Sequence, residues 1–335
     1  MMDLKVVLMI HFLFAASKCI QRSENKTEHP RALGIIGGQP ANIKQFPFLV
    51  SLQYRHSRTR NGHVCCGFLV TPSWIITAAH CLLRQRGSLQ VLPTRSFYLL
   101  ASTADVVNRD VNYQKRTVKS FIPHPYFSWS LIYHDIGLIE ASGPFDYNGY
   151  ISLAVLPRPD WNFHLDSWIT CSVAGWGVTN KNEPQRVSNK LMSVTLDVAP
   201  KEVCEKGIGG SSFENPGGSI CTYSVNGTKD ACKGDSGSAL VCNHPEMKGN
   251  VLLPDLASDW AINGWNLDQW RQGIVLGIVS WSWECAHDGV PAVFTDVRQY
   301  RDWVRCTVLS ARSSTNTASV FFIGFVTTLF QLALN

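Results

Sequence analysis

Short apolar runs separated by turn residues limit most strongly what this chain can fold into. Residues 45–54 are apolar and partly alternating, and 64–70, 73–78, 96–101, 136–141 and 168–174 repeat the pattern with Gly, Pro and Asn between them. Runs of this length and period suit strands. Helical periodicity is scarce, so the pattern argues for an all-β sandwich or barrel. The exception lies near the end. Val297, Tyr300, Arg301 and Val304, with Trp303, approximate one helical face, and residues 297–307 read as a C-terminal α-helix. No repeat at solenoid periods is present. The 335 residues, 45% of them hydrophobic, suffice for one large domain or two small ones.

Eleven cysteines point to an oxidising compartment and a disulfide framework, and the odd count leaves at least one unpaired in the intact precursor. The net charge of +5 comes without a long Lys/Arg run, so no nucleic-acid partner is expected. Arg55, Arg58 and Arg60 form the densest basic cluster. It reads as a solvated loop, with a site for an anionic partner as the alternative.

Both ends carry targeting signals. Lys5, an apolar run at 6–14 and small residues at 15–17 read as a secretory signal peptide over 1–19, with a retained anchor as the alternative. Residues 20–34 are largely polar and read as a propeptide or linker. Sequons at Asn25 and Asn226 fit glycosylation of a secreted chain. The globular part is expected over 35–310, and 311–335 as a C-terminal anchor. There a polar Ser/Thr stretch precedes an apolar run at 320–334 with no Lys or Arg after it. This resembles a GPI-attachment signal with Ser313 or Ser314 as attachment residue, although the polar spacer is shorter than usual. A tail-end membrane helix and a buried terminal segment are the alternatives. The expected location is the cell surface, reached through the secretory pathway.

Residues 230–238 run Asp-Ala-Cys-Lys-Gly-Asp-Ser-Gly-Ser. A serine follows an aspartate, flanked by glycines that let a substrate approach the backbone. Such a loop can present a hydroxyl beside bare N–H groups, as acyl transfer requires. Alone the tetrad is a common turn. Two further contexts give it weight: His80 in Thr-Ala-Ala-His-Cys after one strand candidate, and Asp135 immediately before another.

With Ile35-Ile36-Gly37-Gly38, the Cys171–Gly177 stretch, Ser280-Trp281, and Tyr300 with Trp303, these segments occur in an order that resembles the chymotrypsin/trypsin family from Ile35 to about Cys306. The resemblance implies two six-stranded antiparallel β-barrels with a cleft between them, and hydrolysis of peptide bonds. It implies His80, Asp135 and Ser236 as catalytic triad, with Ser280 supporting Asp135, and the N–H groups of Gly234 and Ser236 as oxyanion hole. Asp230 would form the floor of the specificity pocket. Activation cleavage would free the Ile35 ammonium to pair with Asp235. The implied disulfides are Cys65–Cys81, Cys171–Cys242, Cys204–Cys221 and Cys232–Cys285. Cys19 would leave with the signal or propeptide, and Cys66 and Cys306 have no partner in the family pattern. Protein or peptide substrates and serpin-type inhibitors are the implied partners. No metal cluster is evident and this chemistry requires no cofactor.

The chain departs from the family in four places. Gly34, not Arg or Lys, precedes Ile35, and the nearest basic residue is Arg31. Ser282 and Ala292 stand where open pockets carry glycines, and Glu284 replaces another at the rim, which narrows a slot with an acidic base. Cys66 and Ser238-Ala239 add bulk behind the nucleophile. An insertion spans about 243–273, with Trp260, Trp265 and Trp270. These departures keep a second reading open: a catalytically weak relative with a binding or adhesion role.

Overall fold

The computed structural model describes residues 35–84, 87–157, 166–208, 218–223, 227–243 and 273–311. The expectations for the signal peptide, the linker, Asn25, Asn226, nearly all of the insertion and the C-terminal tail lie outside these residues. Among them, no helix is long and apolar enough to cross a membrane.

The described residues from 35 to 299 form one compact unit, separate from the segment that begins at Tyr300. The first holds two barrels. Strands β2 (Leu49–Tyr54), β3 (His63–Thr71), β4 (Trp74–Thr77), β5 (Phe97–Ala101), β6 (Gln114–Pro123) and β7 (Gly137–Ala141) close in the order β2-β3-β4-β7-β6-β5. The second barrel is built from β8 (Ile169–Gly175), β9 (Met192–Val198), β10 (Ser219–Tyr223), β11 (Ala239–Cys242), β12 (Ile274–Ser282) and β13 (Ala292–Asp296). The β8–β9 pairing closes it, and the short β1 (Gln39–Pro40) adds to β9. Among the described residues, all strand pairings in both barrels are antiparallel. The two six-stranded barrels implied by the resemblance are therefore present.

Each barrel closes around its own apolar interior. Phe68, Leu69, Ile75, Ile76, Leu99 and Leu138 are buried in the first, and Val173, Leu196, Val198, Leu240, Leu276 and Phe294 in the second. Full burial of such a side chain contributes about 1.5–3 kcal/mol. Strands outside the sequence expectations include β6, where Lys115, Arg116 and Lys119 dilute the apolar signal. The helix α1 (Lys201–Ile208) was also unforeseen; it carries Cys204.

Four disulfides brace this unit: Cys65–Cys81, Cys171–Cys242, Cys204–Cys221 and Cys232–Cys285. The first closes a separation of 16 residues, for which chain entropy alone predicts a contribution of about 3 kcal/mol.

The expected helix at 297–307 is two pieces. Val297–Tyr300 is a 3-10 turn, and residues 301–311 form α2, with Trp303, Val304 and Val308 buried. Cys306, unpartnered in the family pattern, is disulfide-bonded, whereas Cys66 is a buried free thiol.

Candidate active site

His80 sits in a 3-10 turn, Ala79–Leu82, directly after β4. The neighbouring Cys81 is bridged to β3, so the turn is anchored on both sides. Asp135 lies just before β7. The loop reaches it through two left-handed residues, Ile132 (φ 51°) and His134 (φ 55°), and the amide of Ile136 donates to the His134 carbonyl at 2.8 Å. The His134 ring stacks on that of His124, centroids 5.0 Å apart.

These elements bring His80 onto Asp135. Nδ1 lies 2.8 Å from Oδ2, and the His80 amide donates to Oδ1 at 3.0 Å. From the second barrel, Ser280 Oγ donates to Oδ2 at 2.5 Å, and Thr295 Oγ1 donates to the Asp135 carbonyl at 2.9 Å. Asp135 is fully buried. Burial pushes its carboxyl up, but the adjacent imidazole and these donors outweigh burial and hold its pKa below the ordinary value. For His80, burial disfavours the cation, yet the Asp135 carboxylate leaves its pKa above the ordinary value. The pair therefore fixes an imidazole with Nδ1–H toward Asp135 and Nε2 free to accept a proton.

Ser236 lies on the loop before β11 and is 6% exposed. Cys81 Sγ is 3.8 Å from His80 Nε2 and 3.7 Å from the Ser236 carbonyl oxygen, so nucleophile loop and imidazole flank one sulfur. No hydrogen bond joins the Ser236 hydroxyl to Nε2 in this structure; that contact commonly tightens only when substrate is bound.

The backbone around Ser236 is pinned peptide by peptide. The Lys233 carbonyl accepts from Val178 N–H at 2.8 Å, and the Asp235 carbonyl accepts from Ser238 N–H at 2.8 Å. A trans peptide is planar, so the N–H groups of Gly234 and Ser236 point the opposite way. Asp235 and Gly237 donate within the fold, whereas these two N–H groups have no partner among the described residues. Two preformed donors beside a hydroxyl are what a tetrahedral oxyanion requires. Gly234 adopts φ +101°, and a side chain there would meet Gly177, Val187 and His63.

One supporting residue escaped the sequence reading. Gln53 Nε2 donates to Ser51 Oγ at 2.6 Å, Ser51 Oγ lies 2.7 Å from His63 Nδ1, and His63 Nε2 lies 2.8 Å from the Gly234 carbonyl. The Gly234 carbonyl can only accept, so His63 Nε2–H donates to it, and in the neutral ring Nδ1 then accepts from Ser51 Oγ–H. Burial lowers the His63 pKa to about 4, so the ring is neutral and this relay keeps one direction. The only sequence signal was a histidine inside the otherwise apolar His63–Thr71 strand.

Cys66 and Ser238 share the space behind the nucleophile. The Cys66 amide donates to the Ser236 carbonyl at 2.8 Å, and Ser238 Oγ donates to the Ala174 carbonyl at 2.5 Å. Ser238 lies close enough to the Cys66 thiol to favour its ionised form slightly. Burial and the nearby Asp235 carboxylate push the Cys66 thiol up, so it stays protonated. Cys65, Cys81 and His80 bring ligand-type atoms within 4.8 Å of one another, but both sulfurs belong to one disulfide and offer no thiolate to a metal.

Asp235 is fully buried and, among the described residues, bonded only by amides: Gly177 N–H at 2.9 Å, Cys232 N–H at 3.2 Å, and the Ile35 N–H. Burial holds its pKa well above the ordinary carboxylate range, with Asp230 adding to the rise. Ile35 is 1% exposed, but in the intact chain its nitrogen is the amide after Gly34, not an ammonium.

Asp230 is also buried and accepts from Ala286 N–H at 2.9 Å. Burial raises its pKa to about 7. Ser282 and Ala292 face each other across β12–β13, and their side chains share one side of the sheet. The buried Ser282 hydroxyl has no partner among the described residues.

Comparison with known proteins bears on this arrangement. A family model described as Trypsin matches residues 35–304. The chain is 31% identical over 279 residues to the clotting factor G beta subunit of Tachypleus tridentatus, covering 81% of this chain and 78% of that protein. It is 29% identical to a trypsin of Phaedon cochleariae, covering 81% and 87%. Ovochymase-2 of Mus musculus is also 29% identical, and the match covers 81% of this chain but only 40% of that protein.

Proposed function

The chain belongs to the trypsin family of serine proteases, and from that premise we propose that it is a cell-surface endopeptidase that cleaves protein substrates through His80, Asp135 and Ser236. Ser236 Oγ attacks the scissile carbonyl carbon while His80 Nε2 takes the hydroxyl proton. The N–H groups of Gly234 and Ser236 receive the oxyanion. His80 then passes the proton to the leaving amine, and water hydrolyses the acyl-enzyme by the same steps. Asp135 stabilises the imidazolium and keeps Nδ1–H directed at itself. The observation that carries this reading is the fully buried Asp135 carboxylate, which receives the His80 ring, the His80 amide and Ser280 Oγ together.

The specificity reading is Arg or Lys before the scissile bond. Asp230 is the buried anion that would meet the cation, and the buried Ser282 hydroxyl, without a partner among the described residues, is a further acceptor. Because the Asp230 pKa is about 7, its attraction for a cation grows as the pH rises through neutrality.

A second reading, a binding protein of weak activity, is favoured by one observation: the buried Asp235 faces an amide where the switch requires an ammonium. The ectodomain and its Gly34→Arg variant, each before and after trypsin treatment, separate the two. Cleavage after the introduced arginine frees Ile35, whose ammonium would enter a pocket already built around the Ile35 nitrogen. Labelling of Ser236 by a fluorophosphonate is expected to rise at least about 10²-fold in the cleaved variant, the scale of a site displaced by about 1 Å. Absence of labelling in every form would end the protease reading.

The signal at 1–19, the sequons at Asn25 and Asn226 and the tail at 311–335 support secretion and a GPI anchor. Phosphatidylinositol-specific phospholipase C is expected to release the protein from intact cells; retention on the membrane after treatment counts against GPI.

A further inference from the structure

The cysteines leave one pairing to be accounted for. Eight of them form the bridges Cys65–Cys81, Cys171–Cys242, Cys204–Cys221 and Cys232–Cys285, and Cys66 is a buried free thiol. Cys306 is disulfide-bonded, and none of these nine is open to it. The chain holds eleven cysteines, and the remaining one is Cys19, outside the described residues.

Cys306 is placed to take a partner from outside the barrels. On α2, Trp303, Val304 and Val308 are buried, Arg305, Leu309 and Ser310 are exposed, and Cys306 lies partly exposed between the two faces. Thiol–disulfide exchange needs access for an incoming sulfur, which Cys306 offers and the buried Cys66 does not. The reach is also sufficient. Cys19 precedes Ile35 by 16 residues. At about 3.3–3.6 Å per residue an extended segment of that length spans roughly 55 Å. A domain of about 250 residues has a radius of gyration of about 18 Å, so the segment can cross its whole width.

We propose that Cys19 and Cys306 form a disulfide that keeps the segment before Ile35 attached to the protein after cleavage at Gly34–Ile35. The two thiols give up two electrons and two protons to a protein disulfide of the secretory pathway. One thiolate attacks that disulfide to form a mixed disulfide, the other displaces it, and the oxidant departs as a dithiol. Cys19 then stays instead of leaving with the signal. The signal ends before it, and Ala15 and Ser17 supply small residues for a cut between Ser17 and Lys18. The Asn25 sequon is retained on the same segment. Cleavage would free the Ile35 ammonium and release nothing, giving two chains joined by one bond. The bond is independent of the catalytic reading, whereas the two-chain product rests on cleavage before Ile35.

The test starts from the full-length chain made in secretory cells, denatured and alkylated before any reduction. Peptide mass spectrometry is expected to find Cys66 alkylated and a peptide pair joining Cys19 to Cys306 that parts on reduction. The Gly34→Arg form is then cleaved with trypsin and deglycosylated. Its intact mass should keep the fragment carrying Cys19 until reductant is added, whereas Gly34→Arg/Cys306→Ser should lose that fragment on cleavage alone. Near-ultraviolet circular dichroism checks that the double variant is folded; if it is not, the peptide map of the parent decides. Alkylation of Cys19 or Cys306, a bridge from Cys306 to a second copy of the chain, or a mature N-terminus beyond Cys19 would overturn the proposal. Fluorophosphonate labelling of the same cleaved samples reads the catalytic proposal separately.

Discussion

Ser236→Ala in the cleaved Gly34→Arg form is expected to lower kcat by about 10⁶-fold and to abolish fluorophosphonate labelling. The change removes only one oxygen atom from a buried position, so the fold is retained. The His80–Asp135 bonds are untouched, and the Gly234 and Ser236 N–H groups are backbone and survive the substitution. What remains is binding and oxyanion stabilisation without a nucleophile, worth roughly 10³–10⁴ over water. Initial rates on a Lys or Arg amide substrate measure it directly. A residual rate within about tenfold of the parent would remove Ser236 from the reaction.

Asp135→Asn is expected to cost about 10⁴-fold in kcat and to move the acid limb of the kcat/KM profile to lower pH. The carboxylate offers two oxygens to three donors: the His80 amide, His80 Nδ1–H and Ser280 Oγ–H. An amide offers one oxygen, and its NH₂ faces a donor. The imidazole is then held in the wrong tautomer or not held at all. The sign of the pH effect follows from the same contact. Burial disfavours a charged His80, and Asp135 more than compensates, so the parent histidine titrates above its ordinary value. Activity needs the neutral ring and therefore falls as pH drops through that raised pKa. Without the negative partner only burial remains, and the pKa falls. An acid limb that stays in place, or moves up, would contradict the assignment of His80 as the base.

The buried Asp235 adds a linkage effect to the activation reading. Its folded pKa is raised, so between the ordinary carboxylate value and its own the folded state binds more protons than the unfolded one. Stability then falls as pH rises through that window. Pairing with an Ile35 ammonium lowers the folded pKa and removes this penalty, which gives cleavage at Gly34–Ile35 a thermodynamic as well as a geometric consequence.

How far the chain could be read in advance differs from residue to residue. Strands with dense apolar alternation, such as 64–70 and 168–174, were legible because burial on one face requires that period. Gln114–Pro123 was not, since its outward face is charged and only closure of the first barrel decides that it is a strand. The split of the C-terminal helix into a 3-10 turn and an α-helix was equally hidden, because hydrogen-bond register at a helix start is a matter of local geometry. The sites of His80, Asp135 and Ser236 stood out by their local contexts, and the four disulfides follow the pairing that the resemblance implied.

Residue order, covalent chemistry and local context sufficed for the family, the barrel class and the missing cation before Ile35. Only the folded chain decided where the peptide groups point. His63 and Gly234 are 171 residues apart, yet their bond helps set the direction of the nucleophile loop. Cys66 and Ser238 looked like separate intrusions, and in space they meet. Asn61 Nδ2 donates to the Ser188 carbonyl across 127 residues, a span that no window of sequence contains. Hydrogen-bond direction and charge convergence depend on distance in space, and a linear chain encodes that distance only through the fold.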